Sequence, residues 1–513
     1  MPARVLVFGL DAADTELLNR WMASGDLPTL ARLAAQGSTA GLANPLDTLP
    51  GSVWPSLNTG IAPRKVGHYF SHDQIRTGEA RLRRIKGEEV DVGAYYWSQA
   101  SDAGKRVAVI DAVHSFRSPG LNGIQLVQWG LHDRAFEIGS EPPELLEEIH
   151  RLHGPYQARC SDMGYAKTQP GFEELLADLT AGARRKTKIA LDLLRRESWD
   201  LFSVTYSEHH CAGHQFWHFH DPDHPQYDPQ APEALREAIR SIYAEVDRAL
   251  AEVVEAAGAE VTAVVTSHGM GPLVGGYNLL PEILTRLGMS SDRGAASKSR
   301  LRTLQNRLKD RTPKSWVPFM QRVAKVGPLK RFQESMGGMV FPLESSKTRA
   351  AQLPNNRVGA IRLNQEGREP NGCVALGADW DALVDEIRME LLALENPDNG
   401  EKIVERVLTA EQAFGPDYHP DNPDLLVVFR QDVGQIDRCV SPRVGLIEAP
   451  ARNARVPRTG DHRGETRAWF VGEGIEPGAE IEGGAIEDFA PTLLALLGVE
   501  PRKDLDGKPL RLS

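Results

Sequence analysis

Four short stretches carry side chains that could hold a metal ion. Asp11 closes the apolar run that starts at Val5. Glu208-His-His-Cys-Ala-Gly-His214 follows another apolar run. Ser267-His268 follows a third, and Asp461-His462 lies near the C-terminal end. Carboxylate and imidazole are the usual ligands of zinc and similar cations. His210 and His214 are four residues apart, so on a helical turn both rings face one way. One histidine alone reads as structural, and Asp11 alone reads equally well as the N-cap of a following helix. Four such stretches, each behind a buried run or in a loop, point instead to one divalent cation or two, zinc or manganese. His218, His220 and His224 exceed what one site needs and belong around it or on the surface. A second kind of chemistry sits in Asp47-Thr-Leu-Pro-Gly-Ser-Val-Trp-Pro-Ser-Leu-Asn-Thr-Gly60. Pro50 suits the first helical position. The free amides of a helix start suit an anion, and Thr48 and Ser52 flank that point with hydroxyls.

The elements that must position these groups are legible as alternating periods. Val5 to Leu10, Lys105 to Asp111, Leu201 to Tyr206 and Val261 to Thr266 read as strands buried on both faces. Helical patterns from about Phe172 to Arg196 and from Ala238 to Ala257 fall between them. The alternation predicts a doubly wound, mostly parallel α/β sheet with helices on both faces. Ligands of such sheets gather outside the carboxyl ends of the strands, where Asp11 falls. The α/β pattern resumes from Ile361. Strands are expected at Asp424–Phe429 and Ala468–Val471, and a helix from Ile486 to Leu497. Between them, residues 291–349 are crowded with lysine and arginine and read as a small helical insertion. The domain expectation is therefore a core of residues 1–290 and 350–513 interrupted by that insertion. The basic segment reads either as a solvated face or as a cap that attracts a polyanionic substrate or a membrane surface.

A chain of 513 residues with a formal net charge of -11 is not a general nucleic-acid binder, which would be basic. Four scattered cysteines, Cys160, Cys211, Cys373 and Cys439, show no CxxC pairing. This argues against a disulfide framework and for a reducing compartment. The chain enters its first strand at once, and no apolar run reaches membrane-spanning length. A cytoplasmic protein is the expectation.

These stretches resemble the alkaline phosphatase superfamily, in particular its type I phosphodiesterase/nucleotide pyrophosphatase branch. Gly9-Leu-Asp11 with Gly25-Asp-Leu-Pro-Thr-Leu30 and Gly37 resembles the family opening. Thr59-Gly60, Pro63 and Gly67 resemble its TG-x-x-P-x-x-x-G stretch. Ser267-His-Gly-Met-Gly271 resembles the DHG motif, and Asp461-His462 with Gly472 the late histidine strand. Asn364 with Gly367-Arg-Glu-Pro370, and Asp488 with Pro491-Thr-Leu493, resemble marks of the last third. The resemblance implies an alkaline-phosphatase-like fold and a metal-dependent hydrolase of phosphodiester or pyrophosphate bonds. It implies two cations, usually zinc, and a serine or threonine that forms a phospho-enzyme. Asp11 and His268 would join the nucleophile at one cation, and His214 and His462 would hold the other.

Three positions depart from the pattern. Ser267 stands where the family has an aspartate, and so does His210. Glu208, His209 or Ser267 itself are possible replacement ligands. The nucleophile position falls on Pro50, leaving Thr48 first and Ser52 second as attacking hydroxyls. A phosphotransferase acting on a lipid or polysaccharide intermediate is an alternative, as is a reduced-activity metal- or nucleotide-binding relative. A sulfatase is disfavoured, because neither hydroxyl is followed by that family's Pro and Arg pattern. The expected substrate is a small or medium phosphorylated compound, with no duplex nucleic acid as partner.

Overall fold

The structure, a computed structural model, describes residues 3–45, 49–69, 73–79, 82–132, 136–156, 158, 168–291, 343, 345–355, 357–449 and 458–512. Its centre is a nine-stranded sheet. The strands run across it in the order Glu480–Ala485, Ser38–Ala43, Thr466–Gly472, Val261–Thr266, Val5–Leu10, Leu201–Tyr206, Val107–Ile110, Gly123–Val127 and Gly139–Glu141. Thr466–Gly472 and Gly139–Glu141 run against the others. Val5–Leu10 lies in the middle, parallel to a neighbour on each side, and all six of its residues are buried.

That burial explains the unbroken apolar run, because both faces are covered. Leu6, Phe8 and Leu10 enter one core, beneath the helices Thr15–Ser24, Pro28–Gln36, Gln169–Arg196, Glu208–His220 and Ala238–Ala257. Val5 and Val7 enter the opposite core, beneath Val53–Thr59, Tyr96–Asp102 and Phe489–Leu496. A strand with apolar cover on both sides does not alternate in hydropathy. The doubly wound, mostly parallel arrangement expected from sequence is present.

The last third holds a second, antiparallel sheet of four strands, ordered Ala350–Leu353, Gly359–Leu363, Leu425–Phe429 and Val404–Thr409. Ile361, Leu363, Leu425, Val427 and Phe429 pack there with the helices Leu280–Arg286 and Ala378–Leu392 in a separate core. The strand expected at Asp424–Phe429 is therefore present as Leu425–Phe429 and belongs to this smaller sheet. The chain then returns to the main sheet through Gly460–Arg463 and Thr466–Gly472. Most of the basic segment, residues 292–342 and 344, lies outside the described residues. No helix among the described residues is long and apolar enough to cross a membrane.

Candidate metal centre

The central register brings three chemistry-bearing strand ends together. Leu10 pairs with Tyr206 on one side and with Thr266 on the other. Asp11, Ser207 and Ser267 therefore follow side by side at the carboxyl edge. Just past Ser207 begins the helix Glu208–His220, which carries His210 and His214. The chain after Ser267-His268 forms Gly269–Pro272, which pairs antiparallel with Gly460–Arg463 and sets Met270 opposite His462. The helix and this two-stranded ribbon approach so closely that only glycine fits. A Cβ on Gly460 would stand 2.2 Å from the Gly213 carbonyl oxygen. Strained backbone collects at the same edge. Ala12, Asp111, His114 and Gln128, each just beyond a parallel strand, have φ of 57°, 55°, 51° and 59°. Non-glycine residues hold such angles only where their surroundings fix them, and they cluster at functional sites.

Three imidazole nitrogens converge. His210 Nε2 lies 3.0 Å from His214 Nε2 and 2.8 Å from His462 Nε2, and the last two are 3.1 Å apart. The opposite ring nitrogens fix the tautomers. His210 Nδ1 faces Asp11 Oδ2 at 2.9 Å. Burial alone would raise the Asp11 carboxyl, but His210, His268 and the Trp54 N–H outweigh it and hold the pKa well below the ordinary value. Ionised Asp11 only accepts, so His210 Nδ1 carries the proton. His214 Nδ1 donates in the same way to the Gly460 carbonyl at 2.8 Å. A neutral imidazole that donates from Nδ1 presents a lone pair at Nε2. With both rings in that neutral form, two such lone pairs face each other at 3.0 Å, an arrangement that a cation between them would satisfy. A carboxylate or carbonyl behind the ring is also how metal-bound histidines are ordinarily oriented.

Asp11 itself is 1 % exposed. Its Oδ1 accepts from Trp54 Nε1 at 2.8 Å and from Ser267 Oγ at 3.3 Å. Ser267 Oγ also accepts from the Ala12 amide at 3.1 Å. The His268 ring lies against His462, tilted by 34° with centroids 4.1 Å apart. Burial, aided by nearby His210, pushes the His268 imidazole down to about 4, so the ring is neutral at pH 7.

Asp11, His210, His214, Ser267, His268 and His462 thus share one pocket. Other candidates point elsewhere. The Glu208 carboxyl accepts from the Tyr156 hydroxyl at 3.0 Å, on the side of Lys186. The His209 ring stands edge-on to Tyr243, with its pKa pushed down to about 3 by burial. Ser52 donates to the Leu49 carbonyl at 2.7 Å. Thr48 lies outside the described residues.

Two participants escaped the sequence reading. His132 stacks on His210 with centroids 4.0 Å apart at 20°. Ligand atoms of His132, His210 and His214 all lie within 4.8 Å of one another. The only cue was its place shortly after Gly123–Val127, a strand whose Gly-Ile-Gln-Leu-Val composition is a weak signal. Trp54, the donor to Asp11, looked like an ordinary core aromatic.

No protein-family model matches the chain, and no curated protein matches it. Among solved structures, the phosphonoacetate hydrolase of Sinorhizobium meliloti 1021 in complex with phosphonoformate is similar at 13% identity and a TM-score of 0.49. That match covers 97% of this chain and 95% of the other. Murine ectonucleotide pyrophosphatase/phosphodiesterase 5, an inactive variant in complex with AMP, is similar at 13% identity and a TM-score of 0.45, covering 98% and 96%. The human form of that protein is similar at 11% identity and a TM-score of 0.46, covering 98% and 97%. The likeness to each runs through nearly the whole of this chain.

Proposed function

We propose that the protein is a metal-dependent hydrolase of phosphoric esters, acting on phosphodiester or pyrophosphate bonds of a small phosphorylated substrate. The observation that carries this reading is the convergence of the His210, His214 and His462 Nε2 atoms, with two tautomers fixed from behind by Asp11 and Gly460. Those three residues would hold the cation, with Asp11 and His268 beside it. When bound, the cation would polarise the phosphoryl oxygen and offset the charge that develops as the ester breaks.

The chain's own groups divide the remaining work. Asp11 keeps His210 in the donor-behind, lone-pair-in-front form. Trp54 and Ser267 keep Asp11 from turning. The attacking hydroxyl in this reading is Thr48, with Ser52 as the other candidate. Its oxygen forms a bond to phosphorus as the bond to the leaving alcohol or phosphate breaks, its proton passing to the leaving group, and water then releases the remaining phosphate monoester and restores the hydroxyl. Cys211, Cys373 and Cys439 are unbridged, which agrees with a reducing, cytoplasmic setting.

The test is hydrolysis of bis-p-nitrophenyl phosphate with added zinc or manganese. His214→Ala and His462→Ala should abolish turnover while circular dichroism stays that of the parent. Full activity in both variants would overturn the proposal. Thr48→Ala should remove turnover and Ser52→Ala should spare it. The reverse result would move the nucleophile to Ser52.

A further inference from the structure

We infer that the centre is mononuclear and imidazole-only, built by His210, His214 and His462, with Asp11 orienting His210 rather than ligating a metal. The inference rests on the metal-site reading above and narrows it. Both Asp11 oxygens already have buried donors. Oδ2 receives His210 Nδ1, and Oδ1 receives the Trp54 indole and the Ser267 hydroxyl. A cation drawn to Asp11 would compete with the indole and with the ring that shapes the other site for the Asp11 charge. It would then find a neutral hydroxyl, Ser267, where a second carboxylate would be needed.

Charge points the same way. One divalent cation among neutral imidazoles, with Asp11 directly behind His210, leaves a formal excess of +1. Two cations against one carboxylate would leave +3 in a pocket whose side chains are nearly all buried. Buried charge is costly unless it is compensated. Among the described residues, neighbouring acids do not make up the difference. Glu208 faces Tyr156 and Lys186. Asp461 Oδ1 accepts the His462 amide at 2.9 Å, and its Oδ2 lies 3.6 Å from Arg458. A neutral imidazole set also selects by chemistry. It suits zinc, copper or nickel and disfavours magnesium and calcium, which take oxygen ligands. This assignment leaves His268, whose ring lies against His462, and His132, whose ring stacks on His210, out of the coordinating set.

The experiment strips the full-length protein with chelator, then titrates it with Zn(II) and separately with Co(II). Bound metal is counted by elemental analysis, and the cobalt visible absorption is followed. The expected result is saturation at one metal per chain. His462→Ala should lose binding. His268→Ala should keep the stoichiometry and the cobalt spectrum. Asp11→Asn should still bind one metal, with Kd raised about 10- to 100-fold, as for other groups that orient a metal-bound histidine. If Asp11→Asn does not fold, Trp54→Phe tests the same support and should also weaken binding without changing stoichiometry. Two metals in the parent, or loss of one of two in Asp11→Asn, would overturn the mononuclear assignment while leaving the hydrolase proposal standing. No binding in the parent would instead overturn the metal-site reading beneath both.

Discussion

Replacing Lys186 by methionine should be among the most damaging single changes outside the metal pocket. The Lys186 side chain is 0% exposed, in the interior of the helix Gln169–Arg196. Its Nζ lies 3.0 Å from Asp111 Oδ2 and donates to the Gly130 carbonyl at 3.0 Å and the Thr205 carbonyl at 2.9 Å. Burial works against the ammonium, but Glu208, Asp111 and Asp11 outweigh it and hold its pKa above the ordinary value. The ion pair is therefore intact across the neutral range. Methionine keeps the volume and removes the charge. Asp111 retains the Trp129 and Gly130 amides as donors but loses its counter-ion, and two carbonyls lose their donor. Breaking a buried pair from one side costs about 3–5 kcal/mol. With 513 residues at roughly 2.1 cal/mol/K each, the unfolding entropy is roughly 1.1 kcal/mol/K, so Tm should fall by about 3–5 °C. The assay is thermal unfolding of the parent, Lys186→Met, Asp111→Asn and the double variant. The double variant should lose less than the sum of the singles by about 1–3 kcal/mol, because the stranded charge is gone. A Lys186→Met protein that melts within about 1 °C of the parent, or strictly additive losses, would refute the reasoning.

Two further outcomes follow from other contacts. Gly460→Ala would drive a methyl to within 2.2 Å of the Gly213 carbonyl oxygen and 3.2 Å of that of Gly271, so backbone must move. It should cost about 1–3 kcal/mol. It should also weaken metal binding about 10-fold or more, because the Gly460 carbonyl orients His214. Unchanged metal Kd by titration would count against that orienting role. At the second sheet, Asp421 accepts from Arg76 at 2.8 Å and from the Thr77 amide at 2.7 Å. Burial would raise its pKa, but these donors outweigh burial and hold it below 3.8. A depressed carboxyl stabilises above its unfolded pKa and loses that contribution as pH falls through its folded value. Asp421→Asn should therefore cost about 1–3 kcal/mol at pH 7, shrinking progressively below pH 3.8. A denaturation difference that stays constant with pH would contradict this.

What the sequence disclosed and what it withheld divide along one physical line. Leu201–Tyr206, Val261–Thr266 and the helix Ala238–Ala257 have the bounds expected, because burial on one face or both writes a period directly into the residues. Asp11 and His268 were legible because they follow buried strands, and His210 and His214 because they form a helical pair, so topology sends them to one edge; His462 reaches it inside the strand Gly460–Arg463. Lys186 was not, since Arg184-Arg-Lys-Thr-Lys188 has the composition of a solvated face and only the fold turns one of its cations inward. The same holds for pairing. The Leu425–Phe429 run announces a strand but carries no record of which sheet it joins, because that depends on its two partners, Gly359–Leu363 and Val404–Thr409. The role of Asp11 is the sharpest case. As a letter it matched a ligand position. The orienting role we propose for it turns on Trp54, 43 residues later, and His210, 199 residues later, which donate to its oxygens. A carboxylate is a ligand or an orienter according to what already occupies its lone pairs, and that information exists only once the chain has folded.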